Sequence, residues 1–145
     1  MEREEPPVLP DVSHVGRRYR AAAQVVRAER VAEYASAVGG ADEPFSPGSV
    51  PPTFAAVYCL LPALAEVLAD AELGIELAGL IHAEQSFEWP VPARPGDVVE
   101  ASAEVASVEG KRGMTFLTLD LLAVNQSGDT VCRGRSLLLL RGAGR

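Results

Sequence analysis

Histidine and cysteine, the side chains that most often serve metal sites and nucleophilic catalysis, are scarce in this sequence. The 145 residues contain two of each, namely His14, His82, Cys59 and Cys132. No Cys-x-x-Cys pair or Cys/His spacing typical of zinc ligands is present, so we expect no metal, and nothing in the sequence calls for a cofactor. Both cysteines stand among apolar residues, which favours small core side chains over a disulfide or a reactive pair.

Basic residues are fewer than acidic residues. Lys and Arg total 13 against 20 Asp and Glu, which gives a net charge of −7. An acidic chain repels phosphate backbones, and this argues against a nucleic-acid partner that binds through a basic face. A local cluster of arginines can still hold a small phosphorylated ligand. Arg94 has two possible roles, either contact with such a phosphate or a place in the turn without ligand contact.

Long apolar runs are the third absence. The longest stretches, residues 137–140 and the interrupted 54–64, are shorter than the roughly 20 apolar residues that a membrane helix needs. Residues 1–12 are charged and broken by prolines, without the apolar core of a signal peptide. We therefore expect a cytoplasmic protein with no membrane partner. The hydrophobic share of 48% is enough for the core of one domain.

The first half of the chain is predicted to form a weak strand and two helices. Residues 1–15 have the composition of a tail, residues 16–141 that of a single domain, and residues 19–26 a weak strand. In residues 27–40 the apolar side chains recur at helical spacing, and Gly39 and Gly40 end that helix. This apolar face consists of Val31, Tyr34, Ala35 and Val38.

The second helix follows a loop rich in proline and glycine. It begins near Thr53 and runs to Gly74 through a stretch that is apolar on almost every side, so we expect it to be buried nearly all round. Pro62 interrupts it, because proline cannot donate the helical hydrogen bond to the Tyr58 carbonyl, and we expect a kink there.

The second half of the chain is predicted to form four long strands. They cover residues 77–89, 98–108, 114–124 and 130–140, and turn sequences lie between them. One buried helix followed by an antiparallel meander indicates an α+β fold in which a sheet wraps around the helix. The open edge of such a sheet is satisfied when two copies or two related chains pair along it, so we expect a dimer.

Two segments resemble the MaoC-like dehydratases and (R)-specific enoyl hydratases. Residues 50–58, VPPTFAAVY, resemble the entry to the central helix of that family. Residues 82–99, HAEQSFEWPVPARPGDVV, resemble the strand and proline-rich turn that follow it. The resemblance extends over roughly residues 15–140. It implies a hot-dog fold, an antiparallel sheet around one long central helix, which pairs as a double hot dog.

The resemblance also implies a ligand and a site. Family members act on acyl thioesters of coenzyme A or acyl carrier protein, and add or remove water across the 2,3 bond of a (3R)-hydroxyacyl thioester. Amide protons at the helix start would polarise the thioester carbonyl, because a helix N-terminus favours developing negative charge. On that basis Thr53, Phe54 and Tyr58 are the expected substrate-binding residues. Tyr58 remains open between an acyl-tunnel residue and a plain core aromatic.

The catalytic loop of the family has no counterpart here. The family motif is G-D-x-N-P-(aliphatic)-H, whose Asp and His carry out general acid–base catalysis. Residues 40–46 read G-A-D-E-P-F-S, so Ala41 takes the Asp position and Ser46 the His position. A shift by one residue makes Asp42 the acid but puts Pro47 at the His position. We therefore expect no catalytic residue of the family type in this chain.

Asp42 and His82 are the weak alternatives for catalysis. The alternative to a catalytic role for Asp42 is that it only shapes the turn. The alternation of the strand predicts that His82 lies with Glu84 on the outer side of the sheet, where both would be solvated or at an interface rather than form a catalytic pair.

Three hypotheses remain open. The leading one is a subunit of a (3R)-hydroxyacyl-thioester dehydratase or enoyl hydratase, which binds the acyl thioester while a related MaoC-like chain in a heterodimer supplies the Asp and His. The second is a homodimeric enzyme of altered chemistry on a specialised thioester, using Asp42, Glu43 or His82. The third is a non-enzymatic protein that binds acyl thioesters.

Overall fold

The computed structural model describes residues 9–39 and 48–141. Its elements follow in the predicted order of a short strand, two helices and four long strands, but only the last three strands form a meander, because the first of the four pairs with the last and not with its successor. They are β1 (Arg18–Arg20), β2 (Gln24–Val25), α1 (Ala28–Val38), the central helix (Pro52–Ala69), β3 (Leu80–Glu88), β4 (Val98–Lys111), β5 (Met114–Val124) and β6 (Thr130–Arg141).

The strands form one antiparallel sheet in the order β1-β4-β5-β6-β3, and β2 also pairs with β4. The inner face of β4 shows why the sheet forms. Val99, Ala101, Ala103 and Val105 alternate with polar residues, and each is at most 3% exposed. The central helix packs on this face against β4, β5 and β1. This is the α+β arrangement that the sequence predicted.

The weak first strand is divided into β1 and β2. Between them Ala21 still donates its amide proton to the Ala101 carbonyl, at 2.9 Å, so the chain follows the edge of β4 throughout. Residues 9–15 were assigned to a tail, yet they include a 3₁₀ turn, Val12–His14, and Pro10 is buried. The domain boundary at residue 16 stays a prediction.

The central helix is built from three segments of different pitch. A 3₁₀ turn, Pro52–Phe54, comes first, a π-helical turn, Ala56–Leu60, follows, and an α-helix, Leu61–Ala69, completes it. The amide proton of Leu61 reaches back to the Ala56 carbonyl, five residues away. Pro62 then occupies the first turn of the α-helix, where its missing amide proton costs nothing. The irregularity expected at Pro62 therefore takes the form of a widened helical turn just before the proline in the chain.

Only one side of the central helix is buried within this chain. Ala55, Cys59, Ala63 and Val67 are fully buried on the sheet, whereas Leu61 is 57% exposed. The prediction of burial nearly all round is wrong for the single chain, because its one sheet covers one side of the helix. By length and mean hydropathy, 1.6, the segment would also suit a membrane span, but its packing on the sheet identifies it as a core helix.

The end of the central helix is fastened to the sheet by a polar cluster. The Asp70 carboxylate accepts hydrogen bonds from the Tyr19 hydroxyl at 2.6 Å and from Arg17 Nη1 at 2.8 Å. The second guanidinium nitrogen of Arg17 bonds Glu72 at 2.6 Å. The hydrogen bonds from Tyr19 and Arg17 hold the pKa of Asp70 below its ordinary value. This cluster holds the C-terminal end of the central helix on the sheet, and the candidate site lies at the N-terminal end.

A β-bulge in β3 changes which of its side chains face the core. The pairing with β6 shifts between His82 and Glu84, so that His82 stands opposite Leu138 and Gln85 opposite Ser136. Leu138 and Ser136 are fully buried, and opposite residues of an antiparallel pair share a face. His82 and Gln85 therefore lie on the inner face. His82 therefore does not share a face with Glu84 as predicted, because strict alternation does not survive a bulge, but it is exposed, in line with the prediction of a solvated side chain.

Gly134 on β6 provides the space for this edge of the sheet. A Cβ atom at position 134 would stand 2.8 Å from the Ser86 carbonyl oxygen and 3.0 Å from the Phe87 ring. The backbone of β3 would have to move to make room. No other side chain fits here without displacing the strand that carries Gln85 and Phe87.

We expect Gly134→Ala to lower the free energy of unfolding by about 1–3 kcal/mol, which is the usual cost of overpacking. Urea unfolding of the purified chain measures it. Gly110→Ala is the matched control, since nothing lies within 4 Å of the added Cβ there, and it should be neutral or slightly stabilising. Equal stability of the two variants would contradict the tight contact at Gly134.

Candidate functional site

The start of the central helix has few free amide protons. The Phe54 amide donates to the Pro51 carbonyl at 2.9 Å, and the Ala55 amide to the carbonyls of Pro52 and Thr53. Pro52 has none. Among the described residues, Thr53 is left as the donor of this first turn with no acceptor. Any polarisation of a bound carbonyl by the helix start therefore depends on the Thr53 amide.

An aromatic cluster surrounds this helix start. The ring of Phe54 meets Tyr34 edge-on, with centroids 5.2 Å apart, and lies 6.2 Å from the Tyr58 ring. The Tyr34 hydroxyl donates to Thr53 Oγ1 at 2.7 Å. Helix α1 thus holds the central helix through Tyr34. The three predicted substrate-binding residues, Thr53, Phe54 and Tyr58, are brought together by the fold, and their role in binding stays a prediction.

Tyr58 separates two cavities at this end of the molecule. One is an apolar slot of about 200 Å³, lined by Val50, Pro51, Pro52, Tyr58, Trp89, Pro92 and Ala93. The other is a groove of about 370 Å³ beside β2, where Phe54 and Tyr58 face the polar side chains of Gln24, Arg27 and Arg30. A molecule with an apolar end and a polar end can occupy both, with its middle at Tyr58.

The Tyr58 hydroxyl stays protonated at any physiological pH. Its side chain is buried, and that burial raises the pKa of the phenol well above its ordinary value. The nearby thiols of Cys132 and Cys59 raise the pKa further, while a hydrogen bond from Trp89 partly opposes them. Tyr58 can therefore serve as a wall or a neutral hydrogen-bond donor, but not as a base.

Neither histidine is near the helix start. His82 stands seven positions before Trp89 along an extended chain, which corresponds to roughly 20 Å. His14 lies close to Gly16, whose amide bonds the Val105 carbonyl, about 20 Å along β4 from the groove wall at β2. The other expected loop positions, Ala41, Asp42, Glu43 and Ser46, lie outside the described residues.

His82 belongs instead to a polar chain on the inner face of β3 and β6. Its Nε2 atom lies 3.0 Å from Gln85 Oε1, which also accepts from the buried Ser136 hydroxyl. The Gln85 amide nitrogen donates to the Ser86 carbonyl, which fixes the orientation of the amide. Because Oε1 can only accept, His82 carries a proton on Nε2, and in the neutral ring Nδ1 is left as a potential base.

Both cysteines are free and fully buried. The prediction that they are small core residues is confirmed. A hydrogen bond to Cys132 and burial raise the pKa of the Cys59 thiol, so the thiolate needed for nucleophilic attack is not formed at neutral pH.

The sequence did not reveal how Trp89, Arg27 and Arg30 relate to the site. Trp89 follows the end of β3, and the turn carries its indole back to Tyr58. Arg27 and Arg30 were hidden in a helix whose pattern indicated only an apolar face. Their spacing of three was the available signal, since residues three apart on a helix stand side by side.

Replacing Tyr58 with Phe should leave the alkaline titration of the native protein unchanged up to about pH 11, because the buried phenol does not ionise there. Tyrosinate absorbance near 295 nm measures it. In the unfolded chain Tyr58 releases its proton at about pH 10, so this residue reduces the stability of the fold as the pH rises above that value. A smaller native absorbance change in the variant below pH 11 would contradict burial of Tyr58.

Comparison with known proteins relates this chain to a dehydratase family. Residues 13–133 match the family model described as FAS1-like, dehydratase domain region. A UPF0336 protein of Cutibacterium acnes is 36% identical over 113 residues, which cover 74% of this chain and 72% of that protein. One from Clavibacter michiganensis is 30% identical over 94% of this chain and 97% of its own length. The match to the Saccharopolyspora erythraea relative covers 58% of that protein.

Solved structures confirm the hot-dog fold. A chain of the HadBC (3R)-hydroxyacyl-ACP dehydratase complex of Mycobacterium tuberculosis superposes with a TM-score of 0.69 at 24% identity, over 90% of this chain and 98% of that one. The (R)-hydratase of A. caviae involved in PHA biosynthesis gives 0.55 at 27% identity, over 86% and 94%. The FAS1-like dehydratase domain family is therefore the family to which this chain belongs.

Proposed function

We propose that this chain is a subunit of a (3R)-hydroxyacyl-thioester dehydratase or enoyl hydratase. It binds the acyl thioester at the start of its central helix, while a related MaoC-like chain supplies the catalytic Asp and His. The observation that carries the proposal is a binding site to which the described residues bring no histidine and no carboxylate. The slot and groove meet at Tyr58, yet strand spacing places His82 roughly 20 Å along the sheet from the slot wall at Trp89, and His14 roughly 20 Å from the groove wall at β2.

The chemistry requires titratable groups within about a hydrogen bond of the substrate. Tyr58 is held neutral, and residues 40–46 have Ala41 and Ser46 where the family has Asp and His. A second chain can provide what is missing. Two surfaces are available for it, the edge of β3, which pairs with no other described strand on that side, and the exposed side of the helix around Leu61. The M. tuberculosis relative is described as a complex, which supports a heterodimer.

We expect the purified chain alone to be inert towards crotonyl thioesters. Hydration should appear when it is co-expressed with a MaoC-like chain that is recovered with it from the native lysate and has an intact G-D-x-N-P-x-H loop. A pull-down with the tagged chain identifies that partner, and loss of absorbance of the enoyl thioester measures hydration. Replacing the partner's Asp and His should abolish activity without separating the complex. Full activity of this chain by itself would contradict the proposal.

Variants of this chain test whether it holds the substrate. Trp89→Ala removes one wall of the slot and should raise the KM of the complex about tenfold, equivalent to about 1.4 kcal/mol of lost contact. Leu122→Ala is the control, an apolar residue 37% exposed on the opposite face of the sheet, and it should leave KM unchanged. Equal KM values in both variants would mean that the substrate binds elsewhere.

The polar chain of His82, Gln85 and Ser136 supports a second candidate, a homodimeric enzyme of altered chemistry. The exposed His82 ring, held by Gln85 beside the β3 edge of the sheet, can act on a substrate shared with a second copy. In that case the purified homodimer turns over a thioester, and His82→Gln abolishes it. A homodimer whose activity survives that substitution would rule this candidate out. A homodimer that binds thioesters without turnover, in any pairing, would instead indicate a non-enzymatic binding protein.

A further inference from the structure

The groove beside β2 has an unusual electrostatic character for so acidic a chain. Arg27 and Arg30, on successive turns at the start of α1, both line it, together with Gln24. The groove then continues to the rings of Phe54 and Tyr58, at the point where the apolar slot begins. Cationic groups stand at one end of this path and apolar groups at the other.

The side chains of the two arginines have no bonding partner in the described part of the fold. Within residues 9–39 and 48–141, neither makes an ion pair or a side-chain hydrogen bond, although Glu29 and Glu33 lie on the same helix. Most other basic side chains on the sheet are neutralised. Carboxylates bind Arg17, Arg18, Arg20, Lys111 and Arg135. No carboxylate of the described residues therefore occupies the donors of Arg27 and Arg30, in a protein of net charge −7.

We propose that Arg27 and Arg30 bind the phosphate of a phosphopantetheine arm whose acyl end enters the apolar slot. The inference rests on the proposed function, namely that the chain binds an acyl thioester. Guanidinium groups hold phosphate through paired, charge-assisted hydrogen bonds. The arm is a flexible linker with a phosphate at one end and the thioester at the other. That order matches the order of charged and apolar walls along the groove, with the thioester beside Tyr58 and Thr53.

Arg94 fits this role less well. It was an open candidate for a ligand phosphate, and its backbone amide bonds the Asp97 carboxylate at 2.9 Å within the turn. Its side chain is exposed and lines neither the slot nor the groove. A phosphate bound there would lie outside the path that leads to Tyr58.

Calorimetry with saturated thioesters, which the enzyme cannot turn over, tests the assignment. The full-length chain is titrated with butanoyl-pantetheine, butanoyl-4′-phosphopantetheine, butanoyl-coenzyme A and a butanoyl carrier protein. The test variant is Arg27→Gln with Arg30→Gln. The control is Arg112→Gln with Arg133→Gln, two arginines that also make no ion pair among the described residues and whose loss changes the net charge by the same amount.

In the wild type and the control, the phosphorylated arm should bind about tenfold more tightly than butanoyl-pantetheine, or about 1.4 kcal/mol. The gain should disappear in the test variant and weaken with added salt, while butanoyl-pantetheine binds all three proteins equally. An equal gain with coenzyme A supports binding through the arm phosphate alone. A further gain that only the carrier protein shows, and that also needs Arg27 and Arg30, assigns the protein-bound arm as the source.

Two results would overturn the inference while leaving the proposed function intact. One is equal affinity with and without the phosphate, and the other is a phosphate gain that survives in the test variant. Failure of every thioester to bind, including butanoyl-pantetheine, would instead contradict the proposed function itself.

Discussion

Pro62 has no amide proton to give to the Tyr58 carbonyl, yet the central helix must still cross the sheet without losing its packing. The chain meets this constraint with a π-helical turn, Ala56–Leu60, so that Pro62 falls in the first turn of a new α-helical segment. Tyr58 lies in the middle of the widened turn. From there its ring borders both the apolar slot and the arginine-lined groove. The geometry of the site thus depends on how the helix accommodates one proline.

The structure of the β3 edge of the sheet also depends on local departures from regular geometry. Gly134 allows β3 to approach β6, and the bulge at Ala83 brings His82, which is exposed, to the same face of the sheet as Gln85. The buried Ser136 hydroxyl then has an acceptor in Gln85. Both this edge and the exposed helix face around Leu61 are surfaces that one chain leaves uncovered. Because the sheet of one chain covers only one side of the central helix, a second hot-dog chain can bury the other side.

Much of the fold could be predicted, because hydrophobic periodicity is a local property. The alternation in β4 and the helical spacing around Val31 gave the correct elements, and the PVPARPGD turn marked the family. The errors arose where the chain departs from ideal periods. A bulge inserts one residue, so side chains before and after it do not alternate in step, and strict alternation counted from Gln85 put His82 on the wrong face.

The site was less predictable, since it depends on pairs of residues that are distant in sequence. Tyr58 and Trp89 meet only because the turn after β3 returns to the helix start, and Arg27 joins them through the position of α1. Burial on the helix was overestimated for the same reason, because the sequence of one chain does not say which surfaces its own sheet covers.

The central claim is that an acyl thioester binds at the start of the central helix. A crystal structure of the chain, alone or with its partner, soaked with a saturated butanoyl thioester tests it most directly. We expect an acyl chain in the slot between Tyr58 and Trp89, with the thioester carbonyl within hydrogen-bond distance of the Thr53 amide. Ligand bound at another place on the chain, with the slot left empty at a saturating concentration, would contradict it.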